Sequence, residues 1–526
     1  MNHNEEIPAF GIDLGTTNSC IAMLSPGRGE PQVIDIGSEK ILPSVVYFKA
    51  PDTVVIGRIA KNHAVAEPDL VCSHIKRKMA LESASARVST YHGTDYTPED
   101  ISALILRKLV DTALEEDGHE PGQPARVVIT VPAYFGMIGK NATKQAGVLA
   151  NLDVIYVAPE PVAAALAYID GRMTEGASTF LVYDLGGGTF DVAVVTVDGE
   201  RAEVKKADGE RVLGGINWDE AIVGWLRREI AAAGHDLPED DPRLNQDLAL
   251  KAEAAKIDLS TEGMDSVMIT LDHAGQTHQV ELTRDKFEET TQHLLRTTIE
   301  KTQSVIEGAK AAGVDKIDRV VCVGGSTRML AVKEALMKAT GLQVVIFQPD
   351  QAIAKGAAIL ANLIETQKFK VDMTGDTDVG DSEGRLVTML TPKGLGILAY
   401  NPAKDRDVVE YLVPKETELP ASVTKIYGTD EENQTTIHVK VYEERGEPSQ
   451  EASENTLLHE TAINLPGGLR KGAPIHVTYS VDDAGILHVF LIEPDSGQSW
   501  EVSLDKLDQA TDDDVLRLKP AREAVI

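Results

Sequence analysis

The chain has 526 residues, 42% of them hydrophobic, which suffices for two or more domains with filled cores. Its 83 acidic against 51 basic residues give a net charge of -32, partly an ordinary solubilising face, which repels nucleic acid and anionic membrane and excludes both as partners. Three cysteines, Cys20, Cys72 and Cys322, lie far apart without a Cys-x-x-Cys spacing and imply a reducing compartment and no zinc.

The start, Met1 to Ala9, is polar and acidic, and no run of about 18 apolar residues follows, so the expected location is the cytoplasm. Gly11-Ile12-Asp13-Leu14-Gly15-Thr16-Thr17-Asn18-Ser19 then sets an aspartate-leucine-glycine turn, rich in hydroxyls, between two apolar strands. Gln32 to Ile34 and Ser44 to Phe48 read as strands. Ile59 to Arg77 reads as helical and ends in Lys76-Arg77-Lys78, a cluster that either faces phosphate or is a set of solvated helix-end lysines. Glu99 to Glu116 is an amphipathic helix, Arg126 to Pro132 a buried strand stopped by proline, Lys140 to Asn151 a helix, and Val154 to Val157 a strand. Glu160-Pro161 opens a helix whose small residues, Val162 to Ala167, allow close packing. Its first carboxylate points into a cleft or is an ordinary helix-start acid.

The plan repeats from Thr179. Asp184-Leu185-Gly186-Gly187-Gly188-Thr189-Phe190-Asp191 joins two β-rich runs, so it is a hairpin. Three glycines bare three backbone N–H groups and let main chain close around a phosphate, while Asp184 and Asp191 place carboxylates where hydrated Mg2+ can sit. The triplet alone would be an ordinary glycine turn as readily as a phosphate loop; the earlier copy at Gly11 to Ser19 favours a clamp gripping a nucleotide from both sides. Helices are expected at Asp219 to Ala233 and Asp247 to Leu259. Glu253, Lys256 and Ser260 share a face of the second, where a solvated ion pair is the plain alternative. Arg319 to Arg328 is a strand entering the turn Gly324-Gly325-Ser326, and Gln348 to Ala358 is a turn, with Asp350, opening a small-residue helix. Asp372 to Gly384 reads as an acidic linker, Arg385 to Ser503 as an all-β sandwich, and Leu504 to Ile526 as a tail with at most one short helix.

Taken as a set, Gly11 to Cys20, Val128 to Phe135, Glu160 to Tyr168, Asp184 to Asp191, Val323 to Met329 and Pro349 to Ala358 resemble the Hsp70 (DnaK) chaperone family. In the last domain Ile463-Asn464-Leu465, Gly472 to Ile475 and Asp482 to Val489 match the same family. The resemblance implies an α/β fold, a duplicated actin-like (ribonuclease H-like) two-lobed ATPase over 7–371, a linker at 372–392, a β-sandwich peptide-binding domain at 393–503 and a tail at 504–526. It implies ATP/ADP and Mg2+ as ligands, with Gly15, Thr16, Thr17 and Asn18 in the first phosphate loop and Gly186, Gly187, Gly188 and Thr189 in the second. Asp13, Asp184 and Asp191 resemble the carboxylates around hydrated Mg2+; Lys76, Glu160, Thr189 and Asp191 match catalytic positions. Glu253, Lys256, Ser260, Gly324, Gly325, Ser326, Arg328 and Asp350 match the adenosine pocket. No G-x-x-x-x-G-K-[ST] loop and no kinase H-R-D set competes with this reading.

Several positions depart from the family. Ile257 stands where many eukaryotic members have an arginine that stacks on adenine, Gly214 to Asp219 loses acidic residues expected near the cleft, and Lys140 replaces an arginine that supports a switch at Pro132. Tyr156 occupies the place of an arginine, and Thr388 and Met389 the places of a linker leucine and aspartate, so both ends of an ionic contact used by J-domain co-chaperones are missing. Thr435 falls at the central pocket valine, and the family's helical lid is not expected after Ser503. The resulting expectation is a divergent, lidless ATP-dependent chaperone with slow turnover. Its partners are unfolded or specific polypeptide clients and a nucleotide exchange factor, with a J-domain protein doubtful. The rival is a nucleotide-dependent interaction protein that holds one dedicated partner and hydrolyses ATP marginally.

Overall fold

A computed structural model describes residues 7–24, 29–81, 88–169, 177–199, 201–366 and 387–503. The linker expected at 372–384 and the tail from 504 lie outside them.

In the first lobe, β1 (Phe10–Asp13) pairs antiparallel with β2 (Asn18–Met23), with Asp13 opposite Cys20. Four short elements, one of them the 3-10 turn Pro68–Leu70, follow where one helix is expected. Chain after α1 (Arg58–His63) passes through the strand Val71–Ser73 before α2 (Lys76–Met79), so the helical reading of Ile59 to Arg77 is corrected. Val71 to Ser73 pairs with Val45 to Tyr47, a long-range contact that outweighs local periodicity. α3 (Pro98–Glu116) begins on a capping box of Thr97 and Asp100. β3 (Arg126–Val131) pairs parallel with β1 and is followed by α4 (Met137–Leu149). β4 (Asp153–Pro159) leads directly into α5 (Glu160–Ile169).

The second lobe opens with β5 (Ser178–Leu185) and β6 (Phe190–Asp198), whose hairpin sets Asp184 opposite Asp191. After β7 (Arg201–Glu210) come α6 (Gly215–Ala232), α7 (Pro242–Leu259) and α8 (Arg284–Ala311). β8 (Arg319–Val323), α9 (Leu330–Thr340), β9 (Val344–Ile346) and α10 (Ala352–Glu365) complete it. The first sheet has the order β4-β3-β1-β2, with Gln32–Val33 beyond β2; the second runs β9-β8-β5-β6-β7. Each therefore centres on the first strand of a glycine hairpin, flanked by its antiparallel partner on one side and parallel strands on the other.

α5 and α10 lie between the sheets and cross where a Cβ on Gly356 would stand 1.8 Å from the Ala163 carbonyl oxygen. At Gly11 a Cβ would meet the Ala358 nitrogen at 2.0 Å, which seats α10 on β1. The small residues of both helices are what permit this approach.

β10 (Val387–Thr388) then adds a parallel edge strand to the second lobe, Ala202 opposite Val387. Beyond it, β11 (Leu395–Asn401), β12 (Arg406–Val413), β13 (Ala421–Gly428), β14 (Thr436–Glu444), β15 (Asn455–Asn464), β16 (Pro474–Val481), β17 (Leu487–Glu493) and β18 (Gln498–Ser503) form a β domain. Its antiparallel sheets, β12-β11-β14-β15 and β13-β16-β17-β18, bury alternate residues such as Ile397, Val439 and Val441 with Val477, Tyr479 and Val489. The Tyr479 hydroxyl donates to the Gly396 carbonyl at 3.0 Å and ties one sheet to the other.

The β domain is docked on the lobes. Its loops reach α4 and β4 of the first lobe, Lys206 of the second pairs with Glu416 at 2.5 Å, and one apolar cluster runs from α5 through Val387 and Met389 into the sandwich.

Candidate active site

The hairpin turns of the two lobes meet face to face. A Cβ on Gly187 would lie 2.0 Å from Thr17 Oγ1, and one on Gly188 would lie 2.3 Å from Thr16 Cγ2. Glycine at these positions is required by the close approach of the opposing loop, not by the turn itself. The Thr16 and Thr17 hydroxyls are buried there without a hydrogen-bond partner. Around them lies a cavity of about 1110 Å³ between the lobes.

At its floor Lys76 Nζ donates to Glu160 Oε1 at 2.5 Å, both side chains only 4% exposed. α2 supplies the lysine and the first residue of α5 the carboxylate, so the helix-start position of Glu160 is also a cleft position. Asp13, at the end of β1, is pushed up to about 7 by burial and then by Glu160, with Lys76 opposing. Burial followed by the Glu160 charge holds Asp184 and Asp191 well above the carboxylate range. Burial alone would lower the Lys76 ammonium, but Glu160, Asp13 and Asp191 outweigh it and hold it above its ordinary value. The cleft thus gathers more buried carboxylate than its lysine neutralises.

The opposite wall is built by α6, α7 and the turn after β8. Lys256 Nζ donates to Asp219 Oδ2 at 2.8 Å and to the Gly215 carbonyl at 3.0 Å; Ser260 Oγ donates to the Lys256 carbonyl. Burial, opposed by Lys256, raises Asp219 to about 6. Gly324 sits at φ 82, and a Cβ there would meet Asp184 Oδ1 at 2.4 Å, so only glycine fits. Ser326 Oγ donates to the Gly186 carbonyl at 2.9 Å, and Arg328 pairs with Asp350 at 2.5 Å. Of the residues named from the sequence, Asp13, Gly15, Thr16, Thr17, Asn18, Lys76, Glu160, Asp184, Gly186, Gly187, Thr189, Glu253, Lys256, Ser260, Gly324, Gly325, Ser326, Arg328 and Asp350 line this cavity. Gly188 and Asp191 stand just behind it. The Gly188 carbonyl accepts from Arg77, and Asp191 Oδ1 accepts from Ala133 N–H at 2.9 Å, leaving Asp191 Oδ2 buried without a partner.

Other residues of the site escape a reading along the chain. Lys61 on α1 pairs with Glu253 on α7 at 2.6 Å and bridges the lobes across the cleft. Arg77 holds both the Gly188 carbonyl and, at 2.9 Å, Asn217 Oδ1, so the segment from Gly214 that seems depleted of acid uses an amide to join α2 to α6. His74, at φ 59 on the cleft wall, is lowered to about 4 by burial and by Arg77.

Three of the positions that depart from the family pattern, Lys140, Tyr156 and Met389, lie at the docked β domain. Tyr156 on β4 is buried and its hydroxyl donates to the Asp483 carbonyl at 3.3 Å; Lys140 on α4 donates to the Ala484 carbonyl at 3.1 Å. Met389 is buried and its carbonyl accepts from Leu419 N–H. Tyr156 and Met389 are thus engaged at the β domain through apolar packing and backbone groups. Thr435 is exposed, its carbonyl accepting from Leu465 N–H.

Paired hairpin turns over a carboxylate-lined cleft, with α/β lobes on either side and a β domain attached, define a two-lobed nucleotide-binding ATPase. The family model described as Hsp70 protein matches residues 9–525. Chaperone protein DnaK of Deinococcus radiodurans is 35% identical over 537 aligned residues, covering 97% of this chain and 81% of that protein. The chain belongs to the Hsp70 family and is an ATP-dependent molecular chaperone with ATPase activity.

Proposed function

We propose that ATP is hydrolysed in the cleft between the lobes, a duplicated actin-like pair over 7–371, and that the β domain at 393–503 binds extended polypeptide segments. The observation that carries this is the meeting of the Thr16-Thr17 and Gly187-Gly188 turns, whose unpartnered hydroxyls and close backbone form a cradle for phosphate oxygens. Lys76 and Glu160 orient the attacking water, and Thr189 with the glycine N–H groups holds the γ-phosphate in line; positioning and charge neutralisation lower the barrier, with no covalent intermediate. Glu253, Lys256, Ser260, Gly324, Gly325, Ser326, Arg328 and Asp350 hold the adenosine.

Mg2+ suits the residues present. Asp13, Asp184 and Asp191 are buried acids in excess of their lysine, and Asp191 Oδ2 has no partner. Among the described residues no group of three His, Cys, Asp or Glu side chains is placed to hold a metal directly, so these carboxylates would hold the ion through water. When bound, the ion neutralises charge on the β- and γ-phosphates. Clients are unfolded segments, and the cytoplasm is the proposed location. Single-turnover hydrolysis with Mg2+ or EDTA, with and without a panel of unfolded peptides, tests the whole reading. Metal-dependent ADP formation altered several-fold by peptide is expected; hydrolysis indifferent to every peptide would reject the chaperone coupling, and none at all the cleft chemistry.

A further inference from the structure

Between the strand Val71–Ser73 and α2 the chain turns through His74, whose φ of 59 is a left-handed conformation that glycine would adopt at less cost. The turn itself needs no side chain there, since main chain closes it: the His74 carbonyl accepts from Arg77 N–H at 3.1 Å. The imidazole nevertheless lines the cleft, half-buried, and makes no hydrogen bond to any described residue. A ring held in a cleft wall with its nitrogens open has hydrogen bonds to offer a ligand.

The groups around it say which part of the ligand. The charges that act on the ring are those of Arg77, Glu253, Lys61 and Lys256. Arg77 holds the Gly188 carbonyl, and Lys256 donates to the carbonyl of Gly215, whose own N–H donates to Gly186. His74 thus stands between the glycine turn that faces phosphate and the α7 residues assigned to adenosine, where the sugar must pass. Lys61, Lys256 and Arg77 can only donate, which suits phosphate; a sugar hydroxyl also needs an acceptor for its own proton. The acceptors here are Glu253, one oxygen of which is bound to Lys61 at 2.6 Å, and the imidazole. Burial and then Arg77, with Glu253 opposing, lower the ring to about 4, so near neutral pH one nitrogen accepts while the other donates.

We propose that His74 is a ribose-binding residue, its imidazole hydrogen-bonded to the 2′- or the 3′-hydroxyl of the bound nucleotide. This role presupposes that the cleft is the nucleotide site. Calorimetry of the full chain with ADP, 2′-deoxy-ADP and 3′-deoxy-ADP, none of which is turned over, tests it. In His74→Ala, ADP should bind at least about fivefold more weakly than in the wild type. One of the two deoxy analogues should bind within about twofold of its wild-type affinity, because the hydroxyl that the imidazole meets is already gone. His74→Gly, which relieves the left-handed backbone, should show the same pattern, so that lost folding is not mistaken for a lost contact. His74→Asn, whose amide both donates and accepts and which tolerates the same backbone, should keep ADP within about threefold of wild type. Equal losses for all three ligands would mean that His74 only shapes the wall, and ADP bound by His74→Gly as tightly as by the wild type would mean that the ring meets no ligand; either result overturns the proposal. Failure of the nucleotide reading looks different: the wild type would bind none of the three, and the ribose contact would fall with it.

Discussion

Replacing Lys76 with alanine removes the cation of a buried ion pair and leaves its partner in place. Lys76 and Glu160 are 2.5 Å apart and almost fully buried, so the orphaned carboxylate should cost about 3–5 kcal/mol. For a cooperative unit as large as the two lobes this lowers the nucleotide-free melting temperature by roughly 4–7 °C at pH 7.5. Asp13, at about 7 in the folded protein against an ordinary 3.8, gives the pH dependence. An acid raised by folding contributes stability that is fully present below pH 4 and lost as pH rises through 7, a swing of roughly 4 kcal/mol for Asp13. Without Lys76 this acid and its neighbours rise further, so the deficit of the variant should shrink at pH 5.5. Lys76→Ala with Glu160→Gln removes both charges and should regain most of the melting temperature. Hydrolysis should not return: single-turnover rates in both variants should fall more than roughly tenfold, at least about 1.4 kcal/mol in barrier, with ATP still bound. Scanning fluorimetry at the two pH values and a quenched-flow assay measure the two effects. A variant that melts like the wild type at both pH values, or hydrolyses ATP at the wild-type rate, refutes the reasoning.

Gly188→Ala drives a methyl group to within 2.3 Å of Thr16 and should weaken ATP binding at least tenfold in calorimetry, where the same change at exposed Gly199, with open space around it, should not. Burial lowers Lys140 from its ordinary 10.5 to about 8, opposed by Asp482 and Glu443, while the β domain is docked. Docking therefore releases a proton above pH 8 and should strengthen roughly tenfold from pH 7 to pH 9 by a distance probe between the domains, a slope that Lys140→Met should abolish. A general J-domain protein should not accelerate hydrolysis, because Tyr156 and Met389 are committed to the β domain; Tyr156→Arg with Met389→Asp should partly restore stimulation, and several-fold acceleration of the unaltered chain would contradict this.

Much of the lining of the cleft was legible because its pattern is local. An aspartate, a glycine turn and a hydroxyl within a few residues specify both Gly11 to Ser19 and Asp184 to Asp191, and the small residues after Glu160 and Asp350 announce the helices that cross at Gly356. What stayed hidden joins distant residues. The strand at Val71 depends on Val45, Lys61 finds Glu253, Arg77 finds Asn217 and Glu443 finds Met137, none of which periodicity can express. The helical reading of Ile59 to Arg77 failed for the same reason, tertiary pairing overriding a local pattern.

The β domain is held to the lobes from both sides, and both attachments lead to Asp191. On the first lobe Glu443 caps α4, whose preceding segment donates Ala133 N–H to that carboxylate. On the second, β10 pairs with β7 at Ala202 and Glu203, and β7 pairs with β6 where Gly209 lies opposite Asp191. Turning either lobe against the other with the β domain still docked would strain the cap or the edge strand. A nucleotide that binds one lobe angle more tightly than another biases docking by that difference in affinity and by no more. The same equality runs in reverse: a polypeptide that prefers the undocked β domain must weaken, by an equal factor, the binding of the nucleotide that favours docking.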